Sequence, residues 1–205
     1  MYARVASFEN RDMSLADQLV GKVRESARSG EAVPSARGFL MLIDREKGTA
    51  VGISFFDSEE AIRDAEPDFE RMAESIPAEM RGRRTSVDVY EVAFQEGGEG
   101  AKAARVSSLE GPVEKIDEGT RRAQENVLPK ARQVSGWKGV VSLVDRRSGR
   151  GKIITLWGST DALRASEEQA NRLRQETAES GGQKITGVDR YEVAVAERLS
   201  EIAVG

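Results

Sequence analysis

The stretch Gly139-Val-Val-Ser-Leu-Val-Asp-Arg-Arg-Ser-Gly-Arg-Gly-Lys-Ile-Ile-Thr-Leu-Trp157 decides the fold of this 205-residue chain. Two runs rich in aliphatic and β-branched residues flank a short charged segment, which is the pattern of a β-hairpin. The same design occurs earlier as Gly38-Phe-Leu-Met-Leu-Ile-Asp-Arg-Glu-Lys-Gly-Thr-Ala-Val-Gly-Ile-Ser-Phe-Phe56. In the earlier hairpin, Gly48 is expected to supply the positive φ that a tight turn requires.

Three segments of the chain recur at one constant distance. The shift from residue 38 to residue 139 is 101 positions, and two further pairs of segments match at that same shift. These pairs are Ala3–Glu9 with Ala104–Glu110, and Val87–Ala93 with Val188–Ala194. A single match can arise by chance, but three separated matches in one register indicate a tandem duplication.

Each half of the chain predicts the element order β-α-β-β-α-β. In the first half, Ser14 is expected to cap a helix whose apolar residues recur every four positions. A second helical stripe runs from Ile62 to Ile76, and Pro67 inside it predicts a kink or a restart of the helix. The glycine-rich segment 97–102 is interpreted as a linker. The predicted domains are therefore a first module, residues 1–96, and a second module, residues 103–205.

The central hairpins carry apolar residues on both faces. Such strands require helices on one side of the sheet and a second apolar surface on the other. We therefore predict an α+β fold of two tandem ferredoxin-like βαββαβ modules. The modules are expected to pack sheet to sheet as an intramolecular pseudo-dimeric α+β barrel.

Composition excludes several classes of function. The net charge of −4 gives no general attraction to nucleic acid or to an anionic membrane, and no apolar run reaches the length of a membrane span. The residues Met1–Val5 lack a signal-peptide pattern, so we expect a cytoplasmic protein. The chain contains no histidine and no cysteine, so we predict no metal site and no cofactor. Acid–base chemistry would fall to Asp, Glu, Lys, Tyr or water assisted by Arg.

Residues 136–163 resemble a known family. The segment begins Gly136-Trp-Lys-Gly-Val, continues through Asp145-Arg and Gly151-Lys, and ends Leu156-Trp-Gly-Ser-Thr-Asp-Ala-Leu163. It is similar to the dimeric α+β barrel superfamily, and most similar to its antibiotic-biosynthesis-monooxygenase-like branch. The preceding Leu128-Pro129 is also similar to that branch. Many members are homodimers of a single module.

This resemblance implies several functions. Some relatives are cofactor-independent oxygenases of phenolic polyketides, others degrade haem, and many have no known activity. The histidine that binds iron in the haem-degrading branch has no counterpart here, and neither has the histidine that oxygenases often carry near the pocket. The chain therefore departs from the family where the chemistry would lie.

Six residues are the candidates for ligand binding. Trp157, with Phe56 at the equivalent position of the first half, would form the wall of an aromatic pocket, and the alternative is core packing at a strand end. Arg105 and Arg4 would clamp an anion or enolate, and the alternative is a salt bridge to a strand carboxylate such as Glu192 or Glu91.

The remaining two candidates, Tyr191 and Tyr90, repeat on the last strand of each half. Either hydroxyl would donate a proton or a hydrogen bond to a substrate oxygen, and the alternative is sheet packing with the hydroxyl at the rim. The pairs Asp44-Arg45 and Asp145-Arg146 are interpreted as turn residues, with the aspartate accepting backbone hydrogen bonds and the arginine in solvent.

Two hypotheses follow from these residues. The first is a cofactor-independent monooxygenase-like protein that binds an aromatic or polyketide-type substrate, with Arg105 and Trp157 stabilising an anion and Tyr191 or a buried carboxylate moving protons. The second is a non-catalytic ligand-binding or structural pseudo-dimer. We expect the second half to keep the pocket, because it holds Trp157 and the Gly136-Trp137 segment. Assembly into a homo-oligomer stays open.

Overall fold

The computed structural model describes residues 1–9, 13–199 and 202. Its strands, labelled β1 to β8 in chain order, are Tyr2–Glu9, Gly38–Asp44, Thr49–Phe56, Arg83–Gly97, Ala103–Glu110, Trp137–Val144, Arg150–Trp157 and Lys184–Glu197. Its α-helices, α1 to α8, are Ala16–Ser29, Glu59–Asp64, Glu66–Ser75, Ala78–Arg81, Ile116–Arg122, Leu128–Ala131, Thr160–Ala165 and Glu167–Gly181. Short 3-10 helices precede α1 and α5 at Met13–Leu15 and Val113–Lys115, and a π-helix, Ala123–Val127, joins α5 to α6.

The strands form a closed barrel in the order β1-β3-β2-β8-β5-β7-β6-β4. The pairings β1–β3, β2–β3, β5–β7, β6–β7, β5–β8 and β4–β6 are all antiparallel. The predicted α+β class is therefore confirmed, with an eight-stranded antiparallel barrel as its sheet. No helix in the described part of the chain is both long enough and apolar enough to span a membrane.

The chain divides into two compact units. Unit 1 consists of Met1–Val89 and the C-terminal segment that begins at Val193, and unit 2 consists of Tyr90–Glu192. The first part of β4 thus belongs to unit 1 and its last part to unit 2, while β8 is divided in the opposite sense. The module limits that we derived from the sequence repeat, 1–96 and 103–205 with the linker 97–102, stay a prediction.

Two apolar clusters lie among the described residues of unit 1. The first joins Leu19 and Val20 of α1 to Met41 and Ile43 of β2. The second joins Phe56 to Phe69 and other residues of α2 and α3. Pro67 lies in the first turn of α3, so the restart that we predicted at this proline is confirmed.

One helix start differs from its prediction. Ser14 was expected to cap the first helix, but it lies in the 3-10 helix, and α1 begins after Leu15 without a side-chain cap. The 3-10 turn provides the local hydrogen bonds instead, a common arrangement at helix ends. The later helix α2 is capped as its sequence suggests, because the Ser58 hydroxyl accepts a hydrogen bond from the N–H of Ala61.

The hairpin turns have the predicted form. Gly48 and Gly149 have φ values of 66° and 74°. Asp44 accepts hydrogen bonds from two backbone N–H groups, and Asp145 accepts one from the Arg147 N–H. The turn interpretation of both aspartates is therefore confirmed. Arg146 is only partly in solvent, because it pairs with Glu91 and with Asp117.

Candidate ligand-binding site

A cavity of about 100 Å³ lies within unit 2. Including the open space at its mouth, it extends to about 880 Å³. An engineered dry cavity of about 150 Å³ holds benzene, so the enclosed part has the scale of one aromatic ring. The wall is almost entirely apolar. Its polar side chains are those of Arg105, Ser107, Thr155, Ser166, Gln169 and Arg174, with the two indoles of Trp137 and Trp157.

The periodicities of strands and helices explain which residues line this wall. Arg105, Ser107 and Leu109 alternate along β5, and Ile153, Thr155 and Trp157 alternate along β7, so each set faces one side of its strand. Helix α8 and the residue before it contribute positions spaced as one helical stripe, which are Ser166, Gln169, Ala170, Leu173 and Arg174. The stripe brings the guanidinium group of Arg174 to the cavity beside the small Ala170 and the apolar Leu173.

The π-helix Ala123–Val127 shapes the opposite wall. Pro129 has no N–H to donate to the carbonyl of Glu125, as a regular α-helix would require. The backbone instead makes a longer turn in which the Leu128 N–H donates to the Ala123 carbonyl. Turns of this kind are frequent at functional sites. Ala123, Val127 and Leu128 line the cavity from this irregular segment. In unit 1 the position equivalent to Pro129 is Arg28, and the helix α1 is regular.

Arg105 is the central polar group of the site. Its side chain is 2% exposed, and its Nη2 donates to the Leu163 carbonyl at 2.8 Å, to Ser166 Oγ at 3.0 Å and to Glu167 Oε2 at 3.0 Å. Its Cζ lies 5.5 Å from the centre of the Trp157 ring, a cation–π distance. Burial lowers the pKa of Arg105, and the charge of Glu167 opposes that effect.

Glu167 binds three arginines at the start of α8. Its carboxylate accepts from Arg105, from Arg174 Nη2 at 3.2 Å and from Arg190, whose Nη2 lies 2.7 Å from Oε1. Burial by itself would raise the pKa of Glu167. The hydrogen bonds and charges of Arg190, Arg105 and Arg174 outweigh it and lower the pKa to about 2. Glu167 is therefore ionised at neutral pH and is a weak base.

Unit 1 fills the equivalent space. Phe69 replaces the smaller Ala170 at the matched position, is 6% exposed, and packs edge to face on Phe56 with ring centres 6.1 Å apart. Arg4 stacks on Phe69 at 4.0 Å and makes two bonds to Glu66, from Nε at 2.7 Å and Nη2 at 3.0 Å. A smaller cavity of about 40 Å³ remains beside this cluster. The matched position therefore lies in a packed core in unit 1 and beside an open cavity in unit 2.

The structure separates the six predicted ligand-binding residues. Trp157 and Arg105 lie together in the wall of the unit 2 cavity. Phe56, Arg4 and Tyr90 are buried and Tyr191 is half-buried, and none of these four lines the described cavities of about 30 Å³ or more. A role in ligand binding stays a prediction for all six.

The alternative role of Arg4 and Arg105, a salt bridge to a strand carboxylate, named the wrong carboxylates. Glu91 and Glu192 on the strands were the expected carboxylates, but Arg4 binds Glu66 and Arg105 binds Glu167, both at the start of a helix. A buried arginine on a strand reaches across to the helix layer, where the first helical turn favours an acidic side chain.

Most residues of the wall were not predicted as site residues, among them Trp137, Ser166, Ala170 and Arg174. Their signal is present in the sequence repeat. The residues at the matched positions of the first half are Ala36, Ala65, Phe69 and Ala73. Aligning the halves for differences, rather than for matches, would have identified a small residue and new polar groups on one helical face.

No group of three or more acidic, histidine or cysteine side chains in residues 1–9, 13–199 and 202 is arranged to hold a metal ion. The charged side chains that line the cavity are the guanidinium groups of Arg105 and Arg174, which only donate hydrogen bonds and suit oxygen acceptors of an organic ligand rather than a cation.

Comparison with known proteins supports the fold. No protein-family model matches the chain. An uncharacterised protein of Mycobacterium tuberculosis is 25% identical over 98% of this chain and 92% of its own length. A candidate monooxygenase from Fusobacterium nucleatum has a TM-score of 0.63 at 15% identity, covering 96% of this chain and 93% of that one. An anthrone oxidase-like protein has a TM-score of 0.60 at 15% identity, covering 100% and 96%.

The chain has the dimeric α+β barrel fold. A Listeria monocytogenes protein of ferredoxin fold, related to antibiotic biosynthesis monooxygenases, matches with a TM-score of 0.55 at 10% identity over 94% of both chains. The resemblance that residues 136–163 indicated is therefore confirmed at the level of the fold.

Proposed function

We propose that the cavity of unit 2 binds a flat aromatic molecule and that the protein is a cofactor-independent monooxygenase of the anthrone-oxidising kind. The observation that carries this proposal is the cavity itself, where two indoles and an apolar wall surround the buried Arg105. Aromatic walls bind planar rings, and the buried guanidinium favours negative charge on the bound molecule. The anthrone oxidase-like neighbour supports the choice of substrate class.

The reaction needs only the substrate and O₂. A methylene group between two aromatic rings loses a proton, and the resulting carbanion gives one electron to O₂. The radical pair combines to a peroxide at that carbon, which takes up a proton and loses water to leave a ketone. One O₂ is consumed and one water is formed for each CH₂ converted to C=O. Arg105 and Arg174 stabilise the anion, and the apolar wall keeps water from it.

No side chain in the described wall is suited to accept the proton of the substrate. Tyr191 was expected to move protons, but it is not among the described lining residues, and Glu167 has a pKa of about 2. The described part of the wall contains no Asp, Glu, Lys or Tyr side chain. The substrate must therefore be acidic enough to ionise in water or on binding to the arginines.

The same observation favours a second function, a non-catalytic binding protein for the same class of ligand. Such a protein requires the cavity and its donors but no acid or base.

An oxygen electrode and intrinsic fluorescence together test both functions. Trp137 and Trp157 are the two tryptophans of the chain, and both line the cavity, so ligand binding should change their emission. The protein is incubated with anthrone and 1,8-dihydroxyanthrone, and O₂ uptake is followed against buffer. The control is Ala170→Phe, which fills the cavity.

Uptake above buffer that is lost in the filled variant supports the oxygenase. A fluorescence change without uptake supports the binding protein and contradicts the oxygenase. No change in either measurement contradicts both functions.

We also propose that the two modules of the sequence repeat, residues 1–96 and 103–205, correspond to the two subunits of single-module relatives. One chain would then be an intramolecular pseudo-dimer. A cytoplasmic location and the absence of a cofactor belong to the same proposal. Light scattering on a size-exclusion column tests the pseudo-dimer, because a pseudo-dimer needs no second copy of the chain to form its site. A cavity that binds ligand only in an oligomer would contradict it.

A further inference from the structure

Four buried nitrogen atoms around the cavity of unit 2 lack an acceptor. They are Arg105 Nε, Arg105 Nη1, Arg174 Nη1 and Trp137 Nε1, none of which has a hydrogen-bond partner among the described residues. All three side chains line the same cavity. A buried donor without an acceptor costs about 1–3 kcal/mol, and more when it is charged. The wall therefore favours a ligand that carries several acceptor atoms.

The charges of the site are not balanced internally. Glu167 is the carboxylate that binds Arg105, Arg174 and Arg190. The Nη2 atoms of Arg105 and Arg174 contact this carboxylate. Three of the four nitrogens without acceptors belong to the same two guanidinium groups. Positive charge therefore exceeds negative charge among these four side chains.

Unit 1 shows the balanced form of the same arrangement. There the guanidinium of Arg4 makes two bonds to Glu66, and the positions equivalent to Arg174 and Arg190 are Ala73 and Val89. The second unit thus has two additional arginines and a smaller residue, Ala170, where unit 1 has Phe69. The additional charge occurs in the unit with the larger cavity, which associates the charge with the cavity's occupant.

Resting on the function proposed above, we infer that the natural ligand of this cavity is a planar aromatic carboxylate. Its two carboxylate oxygens accept hydrogen bonds from the free nitrogens of Arg105 and Arg174, since a guanidinium fork matches a carboxylate in shape and charge. Its ring lies against the apolar wall beside Trp157. A second acceptor on the ring, such as a carbonyl or hydroxyl oxygen, accepts from Trp137 Nε1.

Three naphthalene probes isolate the contribution of the carboxylate to the binding affinity. 2-Naphthoate, 2-naphthamide and 2-naphthol share a ring system, and only the first is an anion with two equivalent oxygens at pH 7. Affinities are measured by isothermal titration calorimetry. We expect 2-naphthoate to bind about 10–100-fold more tightly than the amide or the naphthol, the range that charge-assisted hydrogen bonds supply.

Two arginine variants on α8 provide the matched test. Arg174→Ala introduces the residue that unit 1 has at that position, and should remove most of the preference for 2-naphthoate over 2-naphthamide. Arg172→Ala deletes the same charge two residues away, from a side chain that is 67% exposed and pairs with Glu168, and should keep the preference. Circular dichroism confirms that both variants fold, and Arg174→Lys should recover part of the preference if Arg174→Ala is unstable.

The outcomes distinguish this inference from the proposed function. A preference for 2-naphthoate that depends on Arg174 and not on Arg172 supports the inference. Equal binding of the acid and the amide overturns the carboxylate inference and leaves the aromatic site in place. Equal loss of preference in both arginine variants also overturns it, since long-range charge alone would then explain the selectivity. No binding of any probe overturns both the inference and the proposed site.

Discussion

Replacing Ala170 by phenylalanine should give unit 2 the packed core that unit 1 already has. In unit 1, Phe69 lies against Phe56 and Arg4 at the matched positions. Position 170 faces the cavity, where a phenyl ring would meet Trp157 and Arg105. The ring would take the place of the ligand in contacting both side chains.

The cavity volume sets the size of the effect on stability. Filling a cavity recovers about 24 cal/mol for each Å³, so a cavity of about 100 Å³ limits the gain to about 2 kcal/mol. Strain from a tight fit opposes this gain by about 1–3 kcal/mol. We therefore expect a free energy of unfolding within about 2 kcal/mol of the unchanged protein. The reverse change, Phe69→Ala, should destabilise unit 1 by about 3–5 kcal/mol, because that ring is already buried.

Ligand affinity should fall far more than stability. We expect Ala170→Phe to weaken the binding of 2-naphthoate by at least about 100-fold, equivalent to about 2.7 kcal/mol. Urea unfolding and titration calorimetry measure the two quantities on the same samples. Gln175→Phe adds a ring to an exposed position of the same helix and should leave both unchanged. An Ala170→Phe protein that binds 2-naphthoate with its original affinity would refute the assignment of the site to this cavity.

Further predictions concern the charge cluster and the strand contacts. Glu167→Gln should destabilise the protein by about 3–5 kcal/mol in urea unfolding, because it leaves Arg105 buried without a counter-charge. The control Glu168→Gln, at a side chain that is 88% exposed, should cost less than about 1 kcal/mol in the same assay. The pKa of Glu167 falls from its ordinary value of 4.5 to about 2, so its contribution is complete above about pH 4.5 and is lost as the pH falls toward 2. Unfolding measured from pH 7 to pH 2.5 should therefore show about 2 kcal/mol less acid destabilisation in Glu167→Gln, and an unchanged pH profile would contradict the ion-pair assignment. Gly139→Ala should lower the free energy of unfolding by about 3 kcal/mol or prevent folding, since the added Cβ would lie 2.4 Å from the Glu96 carbonyl oxygen. Gly21→Ala, on the open surface of a helix, should instead raise the free energy of unfolding by about 0.5–1 kcal/mol.

The two units differ in what surrounds a buried arginine and its glutamate partner. A single chain carries two copies of the strand arginine and of the helix-start glutamate. In unit 1 these groups satisfy each other beneath Phe69, which stabilises the core. In unit 2 the same pair is joined by additional arginines around an open space. Units 1 and 2 thus hold the same kind of ion pair in different surroundings.

The sequence by itself predicted most of the elements and indicated a tandem duplication. Runs of aliphatic and β-branched residues around the glycine turns predicted the hairpins at 38–56 and 139–157, because strand geometry depends mainly on neighbouring residues. Pro67 marked the helix restart for the same local reason. The apolar faces and the constant shift between the halves were enough for the α+β class, and the signature at 136–163 indicated the superfamily.

The tertiary structure decided which side chains meet. Arg105 and Arg174 are far apart in sequence, and only the packing of α8 on β5 and β7 brings both to one cavity. The choice of Glu167 over a strand carboxylate depends on the direction in which a buried guanidinium extends, which no local pattern encodes. The cavity itself results from the absence of a ring at Ala170 and from the π-turn before Pro129, and the volume that remains depends on every residue packed around it. Local periodicity therefore specified the framework, and the site followed from long-range packing.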